Sequence, residues 1–422
     1  MFNQGGLSLE QAPPISVVFR FFVTASIFGT LLGIFLLFSD LNLLSLALYS
    51  FKLIITHIFA LGIMATFMLG SMFQMLPVIA GVVIKVPTTK AMIVHILLII
   101  GIVLQISSFI SGVSLLYLAT AFILGGGLLY VSILMLKEII KIKDHSNSSK
   151  GMLFALSSFI LTIIFGILML LILGGYIDSP LFSQIKEVHY SFALSGWITL
   201  LIISISFQVV EMFYVTPKYP NIISSHLILS IFLLLLVKAI LFFNGLYLAK
   251  IIDGVVALLL IIYALITIYR LYQRKRPTSD ATVWFWRLGM VFLIIHSLTI
   301  LIDTPLPLEI KSISFIGFAL SIIFAMVYKI VPFLVWFHLL NQGYMEVPMM
   351  HDVIAPKVAK IHFYIHISFF ILSGLTVFLD IFVLKILMDI LLILSFGLLL
   401  YNLLYAIKKY RYTKAAFKPI KW

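Results

Sequence analysis

Apolar residues run along this chain in long stretches broken by short polar turns. A bilayer crossing takes about 20 such residues. Twelve stretches reach that length, at roughly 16–39, 45–79, 91–111, 114–138, 152–175, 188–214, 222–244, 247–270, 282–303, 312–339, 359–380 and 382–407. The breaks between them carry Pro, Gly, Asn or charge, which end helices. The pattern therefore predicts an all-α, polytopic membrane protein with twelve transmembrane helices and no separate soluble domain. Residues 1–14 are polar and lack Lys and Arg, unlike the basic start of a cleaved signal peptide, so the first span is expected to stay in the mature protein.

The spans also repeat. Phe73-Gln74-Met-Leu-Pro77-Val in span two resembles Phe207-Gln208-Val-Val-Glu211-Met in span six, and both resemble Tyr328-Lys329-Ile-Val-Pro332-Phe in span ten. The copies lie 134 and 121 residues apart, four spans each time. This spacing predicts three pseudo-repeated four-helix units, at about 1–143, 144–276 and 277–422, within one transmembrane domain.

Composition agrees with the pattern: the 422 residues are 63% hydrophobic and 10% charged. The formal charge of +13 would suggest nucleic acid in a soluble chain, but here its placement explains it. Twenty-one basic residues fall in one alternating set of termini and connections, including Lys137, Lys141, Arg274, Arg276, Lys408 and Lys421, and only Lys52, Lys186, Lys250, Lys311 and Lys385 in the other. The positive-inside rule then places both termini in the cytoplasm, in the inner membrane of the cell, with no nucleic-acid partner expected. The absence of cysteine excludes disulfides, iron–sulfur ligation and thiolate metal sites. Ten histidines and sixteen methionines are left as softer ligands.

That topology sorts the histidines by side. His57 opens span two, His189 opens span six, and His296 lies seven residues before Asp303 at the end of span nine. All three fall on the outer side, roughly 3–10 Å below its boundary at 1.5 Å per residue. Ionisable groups at such depth are functional candidates, although a neutral imidazole can also satisfy itself on a carbonyl. Imidazole ligates haem iron and copper, so His57, His189 and His296 are the candidate cofactor and metal ligands. Small residues near them, Gly62, Gly70, Ser71, Ser195 and Gly196, would admit a close helix or a flat ligand. Trp197 is expected to pack in the core rather than against a porphyrin.

Other groups have plainer readings. His57, Met64, Met68 and Met75 share one face of span two, where the thioethers are expected to pack. His362 and His366, four residues apart, have the spacing of a metal pair, but their Lys and aromatic neighbours read as an interfacial girdle, as does His338. Gln74, Gln208, Glu211 and Lys329 are expected to face one another near the cytoplasmic side. There they form either a structural Glu–Lys pair or a proton relay.

Twelve spans in three units, with histidines opening spans two and six, resemble the catalytic subunit (subunit one) of the haem–copper oxidase superfamily. The likeness is greatest to its small divergent members and more distant to NnrS-like haem–copper proteins. It rests on three stretches: His57 to Gly81, His189 to Phe213 and Lys329 to His338. In that family a helix-two histidine ligates the low-spin haem and a helix-six histidine ligates copper; His57 and His189 hold comparable places. The family's other ligands are missing. His189-Tyr190-Ser191 replaces His-Pro-Glu, Phe242-Phe243-Asn244 stands where a histidine pair would be, and the start of span ten has no histidine.

The resemblance implies a haem-binding membrane protein, with copper as a second expected metal. Its expected work is electron transfer or the handling of a small ligand such as nitric oxide, without full oxygen reduction. An oxidoreductase-like activity and a redox partner protein on the outer side would follow. Two alternatives stay open: a transporter for metal, haem or another small solute, and a cofactor-free assembly partner of a respiratory complex.

Overall fold

The computed structural model describes residues 12–44, 46–246, 248–275, 278–302 and 308–419. Arg276, Asp303, Lys421 and the polar start up to residue 11, all used in reading the topology, lie outside the described residues. Among the described residues every regular element is helical, and twelve helices are long and apolar enough to cross a membrane. They are α1 (Ile15–Asp40), α2 (Leu48–Ala80), α3 (Pro87–Ser111), α4 (Ser114–Ile140), α5 (Asn147–Leu173), α6 (Phe182–Tyr214), α7 (Asn221–Phe243), α8 (Ala249–Tyr272), α9 (Ala281–Leu301), α10 (Leu308–Asn341), α11 (Pro356–Phe378) and α12 (Phe382–Ala416). The near end of the bundle is where α1 begins and α12 finishes; the far end is opposite.

Helix ends differ from the apolar runs where polar chemistry sets the boundary. α5 starts at Asn147, well before the run at 152, because the Ser146 hydroxyl accepts from the Ser149 amide at 3.1 Å. α9 is opened in the same way by Asp280, which accepts from the Thr282 amide at 2.9 Å. α12 continues past 407 to Ala416 as a basic helical extension. Pro87 and Pro356 sit in the first turns of α3 and α11, where a missing amide proton costs nothing.

The helices close into a ring. α4 packs on α5, α8 on α9, and α12 returns onto α1. Helices α2, α6 and α10 form the interior: 67%, 72% and 83% of their apolar windows are buried, more than in any other span. Each of these three carries a glycine twelve residues before the repeated polar position: Gly62 before Gln74, Gly196 before Gln208, Gly317 before Lys329. Each glycine faces a side chain of the preceding first helix, namely Phe28 of α1, Ser158 of α5 and Phe292 of α9. A Cβ at Gly317 would lie 2.6 Å from the Phe292 ring, and one at Gly196 would lie 2.7 Å from the Ser158 Cβ. Small residues let these helix pairs approach closely where apolar association alone gives little drive.

The three interior helices leave two small cavities along the bundle axis. One of about 60 Å³ is apolar, with Phe22, Met68, Ser71, Leu201, Trp286 and Met326 in its wall. The second, about 30 Å³ and closer to the near end, is lined by Gln74, Gln208 and apolar neighbours. Met64, Met68, Met72 and Met75 are all buried in the core, so the methionine face of α2 serves packing.

Candidate functional site

The far end holds the densest chemistry, and local backbone geometry helps to build it. α2 and α6 both widen into π-helical turns close behind their histidines, at Ile58–Ala65 and Phe192–Thr199. α4 has a shorter π turn at Ala121–Gly125. Widening frees carbonyls from the usual i→i−4 ladder, and threonines recover two of them. The Thr66 hydroxyl donates to the Leu61 carbonyl at 2.7 Å and the Thr199 hydroxyl to the Leu194 carbonyl at 2.8 Å, each five residues back. Such bulges are frequent at functional sites. Nothing in the apolar pattern signals them.

The three candidate histidines all make the same kind of bond. His57 donates Nδ1–H to the Leu53 carbonyl at 2.8 Å, His189 to the Thr162 carbonyl of α5 at 2.9 Å, and His296 to the Lys311 carbonyl of α10 at 3.1 Å. A carbonyl can only accept, so each neutral ring carries its proton on Nδ1 and keeps the Nε2 lone pair for another partner. This is the arrangement that orients a metal-ligating imidazole. His57 and His189 also lie within electrostatic reach of each other. His57 packs on Phe109 of α3, while His189 lies over Gly166 of α5, which leaves room for the ring. His296 stands apart on α9, packed on Phe315.

The three are not copies of one position. His57 precedes its glycine by five residues and His189 precedes Gly196 by seven; Ser191 is the true counterpart of His57. His296 belongs to the first helix of its group rather than the second. His57 and His189 stand on the interior helices α2 and α6, and His296 on α9.

Beside His189 lies an ion network that the apolar pattern concealed. Lys238 of α7 is buried, at 3% exposure. Its Nζ donates to Ser191 Oγ at 2.8 Å, Asp253 Oδ1 at 2.8 Å and Glu187 Oε1 at 3.2 Å. Tyr190 donates its hydroxyl to the same Glu187 oxygen, and Lys238 lies 5.6 Å from the Tyr190 ring centre. Two carboxyl groups thus face one ammonium, and Lys311 also acts on Asp253. The signal available in the sequence was a lysine inside span seven together with acids near the starts of α6 and α8. Packing of the consecutive helices α6, α7 and α8 places them together.

At the near end the expected Glu–Lys pair does not form. Lys329 binds Asp280 at 2.6 Å and lies 5.4 Å from the Tyr214 ring centre. Glu211 instead accepts from the Tyr219 amide at 3.0 Å, capping the turn that enters α7. Burial pushes the Asp280 carboxyl up, but Lys329 and the Thr282 donors outweigh it and hold its pKa below the usual carboxylate value. Gln74 and Gln208 do share the second cavity, and Gln74 Oε1 is buried without a partner.

The girdle expected at His362, His366 and His338 is also corrected. His362 and His366 are fully buried among α9, α10, α11 and α12. Tyr328 and Ser395 hold the two nitrogens of His362 at 2.8 and 2.7 Å, Ser321 holds His366 Nε2 at 2.9 Å, and Asn402 donates to Tyr328 at 3.1 Å. The i, i+4 spacing turns both rings into the bundle, where hydroxyls rather than headgroups satisfy them. His338 is buried too, with Nε2 unpartnered. Trp197 stacks on Phe159 with ring centres 4.2 Å apart, the core packing expected of it.

The donor chemistry of His57 and His189, two neutral imidazoles with fixed tautomers, fits haem iron and copper alike. Neither axial cavity, of about 60 and 30 Å³, has a histidine in its wall. No protein-family model matches the chain, and no curated protein matches it.

Proposed function

We propose that this is a membrane-embedded metal-binding protein that holds a copper ion through Nε2 of His57 and Nε2 of His189, in electron transfer or small-ligand handling. One observation carries the reading. Both rings are tied through Nδ1 to backbone carbonyls, both keep Nε2 available, and the two lie within each other's electrostatic reach. Bound copper would supply a one-electron couple and an open coordination position. The protein's part is to hold the imidazoles in one tautomer, which the Leu53 and Thr162 carbonyls do. A haem at the same histidines is the form the resemblance implies.

The 21-to-5 basic asymmetry supports an inner-membrane protein with cytoplasmic termini and the histidine pair on the outer side, open to a redox partner there. The parallel glycine contacts of α2, α6 and α10 support three four-helix units. The cavities where those units meet favour a second reading, a carrier for a small solute. Copper titration of the reduced protein separates the readings. About one ion per chain, lost in His57→Ala and His189→Ala and kept in His296→Ala, is expected. Solute uptake by copper-free proteoliposomes, with no copper bound by the wild type, would favour the carrier.

A further inference from the structure

A different pair of groups sits at the seam where α12 closes onto α1. Asp389 of α12 lies two turns inside the far end, about 10 Å along the helix from Phe382. It is fully buried, at 0% exposure, and neither of its carboxyl oxygens has a hydrogen-bond donor. The polar group that faces it is another carboxyl, Asp40 at the end of α1. Backbone contact fixes the seam here: Gly33 of α1 lies against Ile393 and the Asp389 main chain, and Gly29 lies under the Phe396 ring.

Two ionised carboxylates are both acceptors and cannot bond to each other. An ionised Asp389 beside an ionised, half-buried Asp40 would be a buried charge with no donor and a like charge against it, which is costly. A single proton converts the contact into a carboxylic acid donating to a carboxylate, among the stronger hydrogen bonds available to side chains. The other charged groups at this end of α1, α11 and α12 are Asp380 and Lys385. They bind each other at 2.5 Å at the exposed mouth of the seam, where Lys385 also feels Asp40. No cation is thereby left against Asp389, while the mouth is lined by exchangeable charge.

We propose that Asp40 and Asp389 form a proton-binding site, one proton shared between two carboxyl groups, opening to the far end of the bundle. The site is separate from the histidine pair and does not depend on a metal being bound. Shared-proton carboxyl pairs mark proton routes in membrane proteins. This one stands at the ring-closing contact, where a change in its charge acts directly on α1–α12 packing.

A hydrophobic carbodiimide tests it, because such reagents add to protonated carboxyl groups within membranes and leave a stable acylurea that peptide mass spectrometry can place. Full-length protein in liposomes should be labelled at Asp389 or Asp40 at neutral pH. Asp389→Asn should remove the Asp389 adduct. Asp40→Asn should lower the pH of half-labelling at Asp389 by about one unit, since the like charge that holds the proton is gone. Sodium or calcium should not protect. Absence of label on both residues from mildly acidic to neutral pH would overturn the proposal, as would an unchanged half-labelling pH in Asp40→Asn. Protection by a metal cation would overturn it too, assigning the site to that ion. Infrared spectroscopy of the wild type needs no variant: a protonated-carboxyl stretch that shifts in deuterated buffer is expected, and its absence would contradict the shared proton.

Discussion

His189 on α6 donates Nδ1–H to the carbonyl of Thr162 on α5 at 2.9 Å, so a neighbouring helix sets the tautomer of this ring. His57 reaches the same state through its own helix, at Leu53. Nitrogen NMR of metal-free protein with labelled histidine should show both rings neutral, with Nδ1 protonated and Nε2 bare. An Nε2-protonated form at either ring would leave no lone pair directed at a ligand and would remove the chemical basis of the pair.

Removing the buried ammonium should be costly. Lys238→Met leaves Glu187 and Asp253 facing each other without their cation; because the two acids are 21% and 36% exposed, the loss should fall below the roughly 3–5 kcal/mol of a fully buried pair. Thermal unfolding in detergent should show a large drop. Adding Glu187→Gln and Asp253→Asn should recover part of it, because the stranded charges are then gone. A Lys238→Met protein as stable as wild type would mean that the network is solvated rather than buried.

The Asp280–Lys329 pair predicts a pH dependence with a definite sign. The pKa of Asp280 is depressed in the folded protein, so its contribution is present above the ordinary carboxylate value and is lost as pH falls through the lower folded value. Asp280→Asn should therefore lower the melting temperature at neutral pH. The gap to wild type should close in acid, below the usual aspartate range. A gap that widened on acidification would reverse the assignment.

Glycine packing can be tested by contrast. Gly317→Ala forces a methyl group against the Phe292 ring and should cost about 1–3 kcal/mol, the range for overpacked cores. Gly126→Ala on α4 meets no atom within 4 Å and should be neutral or slightly stabilising through helix propensity. Equal effects of the two on the melting curve would count against the close α9–α10 approach.

Much of this architecture is legible in the sequence because bilayer solvation imposes it. Twelve apolar runs become twelve helices, and the repeated Gln74, Gln208 and Lys329 positions fall on the three interior helices. Side-chain partners were less legible. Lys329 looked to Glu211 because the repeat puts both at the same end of interior helices, but the N-cap Asp280, two residues outside any apolar run, takes the ammonium. His362 and His366 looked interfacial from their Lys and Tyr neighbours, yet the rings face inward to Ser395, Tyr328 and Ser321. The π turns after His57 and His189 leave no periodic trace.

The most direct test of the account is copper binding by the reduced, purified protein, read as metal per chain by elemental mass spectrometry together with its optical spectrum. The account predicts about one copper per wild-type chain, background levels in His57→Ala and in His189→Ala, and a wild-type level in His296→Ala. Wild-type protein that binds no copper, or that keeps its copper when both His57 and His189 are replaced, would contradict it.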